Sequence, residues 1–208
     1  MSVVSYTMTV FQIITTFFLW SLLFVSCNTT KDEKNIISSL AITNGQQHDT
    51  VIIYSTTTRA LKSSKIPDSV FRIVRLEQLT VSGMDCDYGD NTACWMIREI
   101  PGEIRNLKYL KRLRLNLNAI TTIPNELTEL KYLELVDLTD NSALENIDNL
   151  TKIESLEYLY LYGCGLTKMP EKIGKLKNLK ELGLAGNHIS GDEKARIKRE
   201  LPNCDIKF

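Results

Sequence analysis

The stretch that decides the fold reads Leu107-x-x-Leu110-x-x-Leu113-x-Leu115-x-x-Asn118-x-Ile120-x-x-Ile123-Pro124-x-x-Leu127. Its apolar spacing passes from three to two and back to three, so neither a helix period nor a strand period accounts for the whole. The pattern then recurs. A second unit opens at Leu130 and carries Leu133, Val136, Leu138, Asn141, Leu144, Ile147 and Leu150. A third opens at Ile153 and carries Leu156, Leu159, Leu161, Cys164, Leu166, Met169-Pro170 and Ile173. A fourth opens at Leu176 and carries Leu179, Leu182, Leu184, Asn187 and Ile189. The openings at 107, 130, 153 and 176 are 23 residues apart. One irregularity stands out: Leu144 and Ile147 fall one place late and that unit lacks its Pro, which a small bulge on the return side would absorb.

These units match L-x-x-L-x-L-x-x-N/C-x-L and resemble the leucine-rich repeat family, in a 23-residue class with Ile-Pro on the convex side. The resemblance implies an α/β solenoid: short parallel strands on a concave sheet, irregular or 3-10 turns behind it, and atypical caps. The inward pairs are then Leu79/Val81, Leu113/Leu115, Val136/Leu138, Leu159/Leu161 and Leu182/Leu184. Asn118, Asn141, Cys164 and Asn187 form a structural ladder whose side chains bond the backbone of the turn leaving each strand. Cys164, as a member of that ladder, is expected to be buried and unreactive. A catalytic thiol is the sharper alternative, but no His stands where it could activate the sulfur.

Outside the clear copies the repeat continues in weaker form. Residues 73–189 are assigned to the repeats, with an insertion at 83–95. Residues 50–72, with the β-prone run Thr50 to Ser55, are expected to form a degenerate first repeat or N-terminal cap. Residues 190–208 are expected to cap the other end: Ser190 and Asp192 offer N-cap chemistry, Glu193 to Leu201 is helix-prone, and Asp205 to Phe208 suits a last short strand.

The N-terminus is organised differently. The chain has 208 residues, with 25 Lys+Arg against 25 Asp+Glu, yet residues 1–26 contain none of these. Val10 to Val25 is a short apolar run followed by Cys27 and a polar tether at 27–49, which reads residues 1–26 as a signal peptide. Leu22-Leu23-Phe24-Val25-Ser26-Cys27 resembles a bacterial lipobox, with Phe24 where Leu is usual; this implies lipidation of Cys27 and a membrane-anchored lipoprotein at the bacterial cell envelope or surface. An ordinary cleaved signal or an uncleaved anchor are the alternatives.

Composition excludes several functions. Zero net charge argues against a general nucleic-acid binder, and two His leave little material for a zinc site or a His-centred hydrolase. No nucleophile–base pair, phosphate-binding Gly loop or metal-ligand cluster is present in the pattern, so the chain reads as non-enzymatic, with no cofactor and no metal. In the insertion, Cys86 and Cys94 suit a disulfide in an exported protein. Asp85, Asp87 and Asp90 are dense enough to suggest Ca²⁺, but they lack EF-hand spacing.

What remains is a binding surface, on the strand positions that point away from the core. They form three columns: Gln78, Arg112, Leu135, Tyr158, Glu181; then Thr80, Arg114, Asp137, Tyr160, Gly183; then Ser82, Asn116, Thr139, Tyr162, Ala185. Tyr158, Tyr160 and Tyr162 alternate along one strand and should share a face. Arg112, Arg114 and Asp137 lie nearby, and Tyr and Arg dominate binding hot spots. The expectation is a protein partner held on this face; a carbohydrate stacked on the three tyrosines is the alternative. A solvated face rich in β-favoured Tyr explains the same residues without a ligand.

Overall fold

The computed structural model describes residues 49–54, 64–83 and 96–208. The Cys27 anchor, the apolar run before it, and the Cys86–Cys94 pair with its acidic neighbours lie outside the described residues.

Among the described residues, seven parallel strands form one sheet in strict chain order. They are β1 (Asp49–Tyr54), β2 (Leu76–Ser82), β3 (Arg112–Arg114), β4 (Leu135–Asp137), β5 (Tyr158–Tyr160), β6 (Glu181–Gly183) and β7 (Asp205–Lys207). The register from β2 to β6 is the one the repeat dictates: Leu79 pairs with Leu113, then Val136, Leu159 and Leu182 in succession. This column is 0% exposed throughout. The next inward residues, Val81, Leu115, Leu138, Leu161 and Leu184, join it in a single apolar core. Each buried Leu contributes roughly 1.5–3 kcal/mol, and no unit could bury its set without a neighbour.

Between strands the chain returns through 3-10 turns at Val70–Arg72, Gly102–Asn106, Asn125–Glu129, Asp148–Lys152 and Ile173–Lys175. The prolines set these turns up. The carbonyls of Pro67, Pro101, Pro124 and Pro170 accept from Val70, Ile104, Leu127 and Ile173 at 3.0–3.3 Å. Pro101 and Pro124 hold the extended conformation that precedes a helical turn. In the irregular unit, Ile147 stands where its neighbours have Pro124 and Pro170, and its carbonyl takes the same bond, from Leu150 at 3.0 Å.

The bulge that lets Ile147 do this shows in burial: Ala143, at the regular apolar position, is exposed, and Leu144, one place later, is buried. The amides of both Glu145 and Asn146 donate to the carbonyl of Thr121, at 2.8 and 3.3 Å. By Leu150 the period is restored.

The Asn ladder ties consecutive units together. Asn141 Nδ2 donates to Leu138 O in its own unit and to Leu115 O in the unit before, each at 2.8 Å. Its Oδ1 accepts from Ile120 N at 3.0 Å. Asn118 and Asn187 repeat the arrangement, Asn118 accepting from Ile97 N and Asn187 from Leu166 N. Cys164 is buried, and its thiol reproduces only the donor half, reaching Leu138 O at 3.2 Å. It offers no amide oxygen to the preceding turn. There, Ala143 is exposed and Leu144 N instead closes back on Asn141 O at 3.0 Å. The bulge and the Cys are thus two sides of one substitution: where the ladder loses its acceptor, the turn it would have served takes another path.

Just before each ladder residue the chain adopts positive φ, at Leu117, Asp140, Gly163 and Gly186. At Gly163 a Cβ would also collide with the Asp140 carboxylate.

The C-terminal end is closed by helix α1 (Gly191–Glu200) and β7. Ser190 is the N-cap, its Oγ accepting from Glu193 N at 3.3 Å, while Asp192 sits inside the first turn. Ile197 and Leu201 face the core. Arg196 fastens the helix to the last full unit. Its guanidinium donates to Met169 O at 2.9 Å and to both Glu193 and Glu200, while Glu193 Oε1 accepts from Met169 N at 2.8 Å. This network raises the Arg196 pKa and holds the Glu193 carboxyl below its usual range.

Candidate functional site

The outward columns take shape on the sheet. Arg112 pairs in register with Leu135, then Tyr158, Glu181 and Asp205. Arg114 pairs with Asp137, then Tyr160, Gly183 and Lys207. Parallel strands stand about 4.8 Å apart. The arginines of β3 are therefore about 10 Å from the tyrosines of β5, across β4.

Each predicted residue has a distinct environment. Arg112 is exposed and Arg114 half-buried; neither has an ion-pair partner among the described residues. Asp137 is half-buried, and its Oδ1 accepts from Thr139 N at 3.0 Å, which fixes the carboxylate against its own strand. Tyr158 lies under the Lys180 ammonium, 6.0 Å from ring centre to nitrogen, and that ammonium also meets Glu157 at 2.7 Å. Tyr160 and Tyr162 stack, with centroids 5.9 Å apart and planes inclined by 15°.

Gly183 explains why those rings lie as they do. A Cβ there would fall inside the Tyr162 ring, so the absent side chain lets the phenol lie across the neighbouring strand. Burial, then the Glu181 carboxylate, pushes the Tyr160 and Tyr162 hydroxyls above their ordinary pKa, keeping both as hydrogen-bond donors through the physiological range.

Leu135 departs from the expectation for its column. It points away from the core, yet is only 8% exposed. It sits in the row between Arg112 and Tyr158, and so forms an apolar floor on an otherwise polar face.

Two features went unread in the sequence. Tyr109 and Tyr132, both exposed, stack with centroids 6.2 Å apart on the flank of the solenoid. They occupy the same place in consecutive units, so tabulating every repeat position, and not only the apolar ones, would have found them. On the return side, a cleft of about 650 Å³ lies beside the bulge. Glu145, Asp148 and Glu171 line it against Lys152, Lys168 and Lys172, so it has no dominant charge. Cys164 sits in the ladder, and burial pushes its thiol up to about 11, which makes it a poor nucleophile at neutral pH. His188 is exposed on a turn.

A solenoid of this geometry defines a class of repeat protein, here with a sheet face that carries stacked tyrosines and guanidinium groups without ion-pair partners among the described residues. Comparison with known proteins agrees with the class. The Leucine Rich Repeat family profile matches residues 155–176. A Leptospira interrogans LRR protein is 30% identical, with a TM-score of 0.56 over 69% of this chain and 34% of its own. The leucine-rich repeat domain of the type III effector XopL is 26% identical, with a TM-score of 0.51 over 65% of this chain and 43% of its own. An internalin from Listeria monocytogenes, 17% identical, shares the fold, with a TM-score of 0.53 over 69% of this chain and 38% of its own. The chain thus spans between 34% and 43% of the length of these structures. No curated protein sequence matches it. The chain is built from leucine-rich repeats and has their solenoid fold.

Proposed function

We propose that this protein is a non-enzymatic recognition module that holds a protein partner on its sheet face. The leucine-rich repeat fold is one that serves protein–protein interaction. The observation that carries the specific reading is that one face brings Arg112 and Arg114, without counter-ions among the described residues, into register with Tyr158 and Tyr160, with Tyr162 stacked on Tyr160. Charged donors without an ion-pair partner among the described residues are available to a partner, and tyrosine rings already stacked lose little entropy on binding.

A carbohydrate ligand has less support. A neutral sugar would engage the tyrosines but leave the Arg112 and Arg114 guanidiniums, which have no ion-pair partner among the described residues, unused. Export, lipidation at Cys27 and residence at a bacterial envelope complete the proposal and rest on residues 1–27 of the sequence alone.

The full chain, used as bait in its natural membrane fraction, tests the reading. Arg114→Ala with Tyr160→Ala should abolish capture of the partner while the melting curve stays close to that of the parent. Undiminished capture would remove the sheet face from the proposal. Mass spectrometry of the mature N-terminus, with Cys27→Ala as control, tests the anchor separately.

A further inference from the structure

The charge pattern of the sheet face narrows the partner's chemistry. The N-terminal half offers the Arg112 and Arg114 guanidiniums. The next strand contributes the sheltered Leu135 and the fixed Asp137 carboxylate. Aromatic rings follow on β5. Beyond them stand Glu181 and Asp205, with Asp205 already held by Lys207 at 2.7 Å. A uniformly anionic polymer crossing this surface would meet the guanidiniums, then run onto Asp137, Glu181 and Asp205. That arrangement selects against polyanions. It suits a ligand acidic at one point only, with an apolar group following it.

We infer that the sheet face takes an extended peptide running across the strands, with a carboxylate on Arg112 and Arg114 and an aromatic or large apolar side chain against Tyr158 and Tyr160. This rests on the sheet-face reading above and deepens it. Guanidinium groups bind carboxylates in a bidentate fork. Leu135 beside them strengthens that pairing by displacing water from the stems. The spacing follows from the sheet. Two strand intervals are about 10 Å, which an extended chain covers in about three residues. The acidic and the apolar residue of the peptide should therefore be separated by about two others.

Fluorescence anisotropy with the full chain provides the test. The probes are labelled synthetic peptides in which a pair of Asp residues and one Phe are joined by Gly-Ser spacers of increasing length. Matched peptides carry Asn in place of Asp. The expected result is tightest binding at about two intervening residues and a loss of at least about tenfold for the Asn peptides. Arg112→Gln with Arg114→Gln should erase the difference between acidic and amide peptides. Tyr160→Ala should flatten the dependence on spacer length. Circular dichroism spectra matching the parent establish that each variant is folded; should Tyr160→Ala melt early, the exposed Arg112→Gln alone carries the acid test. Binding indifferent to the acid, indifferent to the spacer, or absent for every peptide overturns the inference. So does a neutral glycan that binds through the tyrosines without needing the arginines. The two readings fail separately. If Arg114→Ala with Tyr160→Ala still loses the natural partner while the peptides show no preference, the sheet face stands and the acidic peptide falls. If that variant keeps its partner, both fall.

Discussion

Replacing Asn141 by Ala should test the ladder more sharply than any core truncation. Asn141 is 0% exposed and makes three short bonds, accepting from Ile120 N and donating to Leu115 O and Leu138 O. The three partners do not lose equally. Leu115 O keeps the Asn118 amide at 3.1 Å, and Leu138 O keeps the Cys164 thiol at 3.2 Å. Each carbonyl therefore forfeits only the net value of one hydrogen bond, about 1 kcal/mol. Ile120 N has no second acceptor, and a buried amide left unsatisfied costs about 2 kcal/mol. The sum is about 4 kcal/mol, a large share of the roughly 5–15 kcal/mol that folds a domain. At this chain length that corresponds to a fall in melting temperature of roughly 8–16 °C. Urea denaturation followed by far-UV circular dichroism reads the loss, with an unchanged m value showing that cooperativity is preserved. A loss below about 1 kcal/mol would refute the reasoning, because the carboxamide would then be replaceable by water and the ladder would not couple the units.

The other predictions concern the irregular unit, the cap, the tyrosines and the thiol. Cys164→Asn makes the ladder uniform yet should destabilise by about 1–2 kcal/mol, since the preceding turn does not present an amide to the new oxygen; a higher melting temperature would show that the bulge is unrelated to the Cys. Arg196→Leu should unfasten α1 and lower stability by about 2 kcal/mol, seen as faster hydrogen exchange confined to residues 191–207; exchange unchanged there would remove the clamp from the account. Gly183→Val should displace the Tyr162 ring and weaken partner capture while leaving the melting curve nearly in place; unaltered capture would show that the ring's position is immaterial. Cys164 should resist iodoacetamide at pH 8 in the folded protein and react once unfolded, as followed by peptide mass spectrometry. Its folded pKa of about 11 lies above the value of a free thiol, so its contribution to stability is full below about pH 9 and declines as pH rises toward about 11; equal alkaline sensitivity in Cys164→Ala would contradict that assignment.

What the sequence shows and hides follows from which side of a residue has a neighbour. The inward columns were legible because burial demands an apolar side chain at every copy, so Leu113, Val136, Leu159 and Leu182 announce themselves by period alone. The ladder was legible for a related reason: only a short polar side chain can reach both its own turn and the previous one. The left-handed column was half legible. Gly163 and Gly186 carry its sign, but Leu117 and Asp140 adopt the same positive φ without a glycine to report it. A single unit's φ is enforced by the stack, at a cost of about 1–2 kcal/mol for Leu117, and an enforced conformation leaves no trace in composition.

The surface is where reading column by column misleads. Leu135 belongs by spacing to the outward set, yet it is only 8% exposed in a row between Arg112 and Tyr158, because burial on an outer face depends on adjacent units and not on alternation within one. Gly183 reads in sequence as a gap in the binding column, but in the sheet it is the space that Tyr162 occupies. In a solenoid the core depends on one position repeated, whereas the site depends on different residues placed side by side. The same register that makes the fold legible from a single unit therefore makes the site legible only when several units are laid against each other. Laid so, Arg114, Asp137, Tyr160 and Gly183 become one row, and that row is what the substitutions at Arg114, Tyr160 and Gly183 interrogate.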